Sequence, residues 1–124
     1  MVHFLDIIEG RRIRIALVGC GRISRNHIKA IALHHERAEL VALCDTEQQR
    51  LDSAQQLVAE AAQEYPEAGH KPEQFIGYDK LLDAIKTSAL KVDLVVLTTP
   101  SGLHPAQTIA AAEVGVHVCT EKPM

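Results

Sequence analysis

The chain has 124 residues, enough for one domain with a buried core, and a formal charge of −3 from 13 basic and 16 acidic residues. That balance argues against a nucleic-acid backbone as partner, and an aromatic content of 3% without Trp argues against base-stacking platforms. No apolar run approaches a membrane span and no signal-peptide pattern opens the chain, so neither a membrane nor a nucleic acid is an expected partner and the cytoplasm is the expected compartment. With 47% hydrophobic residues the core must be aliphatic. Cys20, Cys44 and Cys119 lack metal-ligand spacing; they read as small buried hydrophobes, and no metal is expected.

In chain order, residues 1–12 form an N-terminal extension. Phe4, Leu5, Ile7 and Ile8 within it suit a short helix, an added edge strand or a leader that packs elsewhere, and Arg11, Arg12 and Arg14 read as a solvated basic patch. The β-branched and aliphatic run Ile13 to Val18 predicts a strand, stopped by Gly19 and Gly21. Ile28, Ile31 and Ala32 then recur at helical spacing. In such a strand–turn–helix, Gly19 permits a sharp turn and Gly21 lets a pyrophosphate approach the backbone. The helix N-terminus offers unpaired N–H groups to the anion. Ser24 holds the third position of this fingerprint, where a small residue allows close helix–strand packing. A second strand, Glu39 to Cys44, ends in Asp45, placed to accept hydrogen bonds from adenine-ribose hydroxyls, to cap the next helix, or to do both.

A helix is predicted from about Glu47 to Tyr65, with Leu51, Ala54, Leu57, Val58, Ala61, Ala62 and Tyr65 as its apolar stripe. Pro66 to Gln74 reads as an exposed loop and Phe75–Ile76 as a very short third strand. Tyr78, Leu81, Leu82 and Ile85 predict a helix, and Leu94 to Thr98 a strand buried on both faces. Another helix has Pro105 in its first turn and stops at Gly115; Val116 to Thr120 is the last strand. The alternation predicts a doubly wound parallel α/β sheet with the first strand central. Gly19 to Ser24, Thr98 to Ser101 and Thr120 to Lys122 then lie together at the carboxyl ends, where ligands bind. Of the histidines, His3, His34, His35 and His70 read as surface residues, His27 as a packing residue or a support behind the site rather than a catalyst, His117 as structural, and His104 as ordering its loop or touching cofactor.

Three segments carry a resemblance: Val18 to Ser24 (VGCGRIS) with His27 and Cys44-Asp45, Thr99 to His104 (TPSGLH), and Glu121-Lys122-Pro123. Together they resemble the glucose-fructose oxidoreductase / inositol dehydrogenase family of nicotinamide-dependent sugar oxidoreductases, from Ile13 to the last residue. The resemblance implies a Rossmann-type domain over residues 13–124 that binds NAD through Gly19, Gly21, Arg22, Ile23, Ser24, Asp45, Thr99, Pro100, Ser101, His104, Glu121 and Lys122. Lys122 is implied to lie beside the nicotinamide and the reacting hydroxyl as the catalytic residue. Glu121 is implied to contact the nicotinamide ribose or hold the loop, and Pro123 to restrict the turn.

The flanks of these motifs resemble a nucleotide-sugar branch that oxidises the 3-hydroxyl of UDP-N-acetylglucosaminuronic acid in surface-polysaccharide synthesis. A sugar or nucleotide-sugar substrate and a homo-oligomeric parent are implied. Family members carry a second, substrate-binding domain, so the chain is expected to be an N-terminal fragment, truncated before its last strand and that domain. Two other readings stand beside this one. The domain could be a non-catalytic dinucleotide-binding module or redox sensor. It could also be a methyltransferase, whose loop wants an acidic residue and a third glycine at the positions of Leu17 and Ile23.

Overall fold

A computed structural model describes residues 11–120. Five strands form one parallel sheet in the order β3-β2-β1-β4-β5: β1 (Ile13–Val18), β2 (Ala38–Asp45), β3 (Glu73–Ile76), β4 (Leu94–Leu97) and β5 (His117–Thr120). The helices α1 (Ser24–Leu33), α2 (Gln48–Glu64), α3 (Tyr78–Lys86) and α4 (His104–Glu113) make the crossovers. The chain moves outward from β1 to β2 and β3, then returns across β1 to β4. The reversal lies at the centre of the sheet, as the alternation of apolar segments predicts.

Alternating side chains of β1 feed two cores. Ile15 and Leu17 pack with Ile28 and Ile31 of α1 and Leu51, Ala54 and Val58 of α2. Ala16 and Val18 face the opposite layer, with Leu81 of α3 and Ala111 of α4. On that second face the sheet presents small residues, Ala16, Ala42 and Cys44, each almost fully buried. Small side chains let the helices approach closely, so an aliphatic core fills without aromatic bulk. The register between β1 and β2 shifts by one residue: Ile15 pairs with Leu40 but Ala16 with Ala42, leaving Val41 over. This bulge lets Leu40 and Leu43, three apart in sequence, join the same core.

Several expectations are corrected. Ala62 is exposed and Leu57 only half-buried, so the apolar stripe of α2 is narrower than its spacing suggests. The segment from Pro66 to Gln74 is more than an exposed loop. It contains a 3-10 turn, Pro66–Ala68, whose Ala68 is buried, and its last two residues already belong to β3, which pairs with the end of β2. His70 is half-buried, with Nε2 3.3 Å from the Ala38 carbonyl oxygen, and burial holds its pKa below the ordinary value. The ring of His35 lies partly covered beside Tyr65. Cys119 is exposed on β5, because an edge strand has one neighbour and shallow cover. Residues 1–10 and the Glu121-Lys122-Pro123 motif lie outside the described residues. Among the described residues, no helix is long and apolar enough to cross a membrane.

The arginines at the start of β1 are a clamp rather than a solvated patch. Arg11 donates to both carboxylate oxygens of Asp93 at 2.7 and 2.9 Å, and the backbone N–H and guanidinium of Arg14 donate to the same group. Arg12 donates to the carbonyls of His35 and Ala68. Asp93 thus fixes the entry of β4 beside β1. Burial pushes its carboxyl up, but the hydrogen bonds from Arg11 and Arg14 outweigh this and hold it well below the usual carboxylate range. A depressed folded pKa contributes stability above the unfolded value, and that contribution is lost as pH falls below about 4. Asp93→Ala is expected to cost about 1 kcal/mol at neutral pH, solvent screening included. That is a drop of roughly 4 °C in melting temperature. The difference from wild type should shrink in melts below about pH 4.

Cys20 and Cys44 pack in opposite layers of the sheet. Burial, reinforced by the charge of Asp45, pushes the Cys20 thiol up to about 12. Burial first, then Cys20 and the charges of Asp45 and Asp79, push Cys44 to about 12 as well. Since the thiolate is the reactive form, a thiol reagent at neutral pH should label Cys119 alone in the native chain. All three cysteines should react after unfolding, as mass spectrometry would show.

Candidate functional site: a dinucleotide cleft at the carboxyl ends of the strands

The site begins where β1 stops. Gly19 has φ +93°, and a Cβ there would lie 2.8 Å from the Thr98 hydroxyl and 2.9 Å from its carbonyl carbon. Any side chain at this position strains the backbone and drives β1 away from the end of β4. Gly21 is different, for a Cβ on it would meet nothing within 4 Å. The space beside Gly21 is open, and the N–H groups of Gly21, Arg22 and Ile23 have no partner among the described residues. Beyond them Ser24 is fully buried, and its hydroxyl donates to the Gly21 carbonyl at 2.6 Å. Ser24 thereby takes the place of a third glycine, small enough to pack and able to close the turn. Free N–H groups, the positive end of α1 and an empty approach together make a cradle for an anion such as pyrophosphate.

The second wall is the end of β2. Asp45 is 7% exposed. Its Oδ2 accepts the Cys20 N–H at 2.8 Å and its Oδ1 the Glu47 N–H at 3.0 Å. Each oxygen has a further lone pair, so the carboxylate braces the glycine turn and the start of α2 while keeping acceptor capacity for a ligand.

The third wall follows β4. Thr98 donates its backbone N–H to the Val18 carbonyl at 2.8 Å, and its hydroxyl contacts the carbonyls of Val18 and Gly19. The Thr99 hydroxyl donates to the Gln107 side chain. His104 Nε2 lies 2.7 Å from the Thr99 carbonyl oxygen, so its ring is engaged in ordering the loop. Pro100 precedes a 3-10 turn, Ser101–Leu103, that leads into α4. Tyr78 at the head of α3 donates its hydroxyl to the Gln107 carbonyl at 2.7 Å, and burial raises its pKa to about 12, keeping it a donor.

These walls enclose an open cleft of about 300 Å³, lined by Gly19, Gly21, Asp45, Thr99 and Pro100 among others, a volume at the lower end of the range of ligand sites. Arg22 and Ile23 face the adjoining groove between α1 and α2. Glu121 and Lys122 lie outside the described residues. Sequence reasoning assigned no cofactor contact to Thr46, Tyr78, Leu103 or Gln107, which also line the cleft. Tyr78 read as one more member of an apolar helical stripe, and Gln107 carried no motif signal.

Strand order, reversal point and anion cradle together define a dinucleotide-binding α/β domain. Residues 13–124 match the oxidoreductase family with an NAD-binding Rossmann fold, and the chain belongs to that family. NAD is the cofactor of this domain. WlbA dehydrogenase from Bordetella pertussis, solved in complex with NADH and UDP-GlcNAcA, is 43% identical with a TM-score of 0.73, over 91% of this chain and 29% of that one. D-apiose dehydrogenase from Paraburkholderia graminis is 33% identical over 115 residues, 91% of this chain and 26% of its own. A glycosyl hydrolase family 109 protein from Shewanella pealeana is 30% identical over 112 residues, 90% of this chain and 23% of its own. The chain thus spans about a quarter of the length of the curated relatives it matches. The family match leaves the methyltransferase reading without support.

The two glycines separate folding from binding. Gly21→Val should fold with a melting temperature near that of wild type and lose at least tenfold in NAD affinity, because its side chain fills the cradle. Gly19→Val should lose about 2 kcal/mol or more of stability through its left-handed backbone and its clash with Thr98. Thermal melts and NADH titrations on both variants check the contrast.

Proposed function

We propose that this domain serves a sugar dehydrogenase that moves hydride between carbon 3 of a nucleotide-linked uronic acid, UDP-N-acetylglucosaminuronic acid, and NAD, the 3-hydroxyl losing its proton as it becomes a carbonyl. The observation that carries this reading is the 43% identity to WlbA from Bordetella pertussis, solved with NADH and UDP-GlcNAcA, against 33% for the apiose enzyme. A relative named as a glycosyl hydrolase family 109 protein, 30% identical over 112 residues, lies further away. In this reading residues 13–124 are the nucleotide domain, residues 1–12 an extension, and a substrate domain belongs to the sequence beyond residue 124.

NAD, when bound, supplies the carbon that accepts hydride. The chain's own residues bind, orient and handle the proton. The Gly21 to Ile23 N–H groups hold the pyrophosphate, and Asp45 accepts from the adenine ribose. Thr99, fixed by Gln107 and His104, shapes the wall of the cleft. Lys122 follows β5 by two residues and is assigned to the reacting oxygen, where an ammonium group stabilises developing negative charge and relays the proton. Glu121 is assigned to the nicotinamide ribose.

The 124-residue chain should bind NAD without turnover, since hydride transfer needs the sugar carbon held about 3–3.5 Å from the nicotinamide. In the protein that includes the substrate domain, UDP-N-acetylglucosaminuronic acid should support NAD reduction. Lys122→Ala should lower kcat by about 100-fold or more with NAD affinity nearly unchanged. Reduction with other sugars only would overturn the substrate assignment, and a fully active Lys122→Ala protein would overturn the role of Lys122.

A further inference from the structure

The described residues of the cleft include one cation, Arg50, which stands on the first turn of α2 and faces both the cleft and the groove beside it. An arginine beside a helix N-terminus, next to the carboxylate assigned to the adenine ribose, is a natural phosphate receptor. It offers a planar fork of donors, and the helix dipole adds to its charge. Arg50 is not free to serve as one. Its Nε lies 2.7 Å from Glu47 Oε2, and both side chains are 58% exposed. Glu47 is the residue before α2; its side chain makes no capping hydrogen bond, and its backbone N–H is donated to Asp45. Asp45, Glu47 and Arg50 are therefore linked in series, and their formal charges sum to −1 at the mouth of the cleft.

We propose that Glu47 is a cofactor-specificity residue that acts through Arg50. Its carboxylate takes the place a phosphate would take on the guanidinium, so the cleft disfavours a dinucleotide phosphorylated on its adenine ribose. This rests on the NAD reading of the domain and extends it. Asp45 alone would repel a 2′-phosphate, yet an unpartnered arginine five residues later would offset that repulsion. Glu47 removes the offset. Because the pair is exposed, its effect is modest and sensitive to salt.

The test is titration of the 124-residue chain with NADH and with NADPH, followed by nucleotide fluorescence, for wild type, Glu47→Gln, Glu47→Ala, Arg50→Ala and the double variant Glu47→Ala/Arg50→Ala. Wild type should bind NADH more tightly. Both single changes at Glu47 should tighten NADPH binding about three- to tenfold and leave NADH within about twofold. Removing Arg50 as well should restore the wild-type preference, and added salt should shrink the gain. Glu47→Gln keeps the shape of the side chain, so it guards against a folding defect in Glu47→Ala. An unchanged preference in both variants, equal loss of both dinucleotides, or a gain that survives without Arg50 would overturn the proposal. Wild type binding neither dinucleotide would remove the NAD reading itself, and the proposal with it, in a titration that involves no variant.

Discussion

The carboxylate of Asp45 joins the two βα turns from which the cofactor cleft is built. One oxygen holds the N–H of Cys20 and the other the N–H of Glu47. Both turns gain from the tie: among the described residues the glycine turn leaves three N–H groups open, and α2 starts without a side-chain cap. A buried carboxylate is costly unless its oxygens are hydrogen-bonded, and here the donors are the loops that need bracing. The group expected to greet the ribose is therefore first a structural tie. Substituting Asp45 would disturb the glycine turn as well as the ribose contact, so loss of binding on that change alone would not separate the two roles.

Much of this was legible in the sequence because periodicity and glycine spacing report local backbone demands directly. The run Ile13 to Val18 ending at Gly19 had to be a strand meeting a turn, and Ser24 had to be small; the structure shows it fully buried. The sheet order followed from the alternation of elements. Long-range polar pairing left no such trace. Arg11, Arg14 and Asp93 are about 80 positions apart and make one clamp, yet in the sequence they are two arginines and an unremarkable aspartate. Gln107 is similar: its side chain supports Thr99 from within α4, where helical spacing marks it only as polar. Edge position also escaped the reading, since an apolar strand context made Cys119 look buried.

The described lining of the cleft comes from the carboxyl ends of β1, β2 and β4 and the segments that follow them, and suits a dinucleotide that many reactions use. Sequence identity to a particular dehydrogenase therefore carries the substrate assignment, while geometry carries the cofactor assignment.

The register shift in β2 has a consequence for how this domain tolerates changes in length. From the Ile13–Ala38 pair to the Val18–Cys44 pair, β1 uses the six residues 13–18 while β2 uses the seven residues 38–44. Val41 is the surplus, and the two layers receive their side chains as though it were absent. The strand thus holds one residue of slack, placed upstream of the carboxylate it must deliver. Shortening β2 there leaves Leu43 and Asp45 facing the same layers, whereas a change of length beyond Ala42 has no such reserve and turns the carboxylate away from the glycine turn.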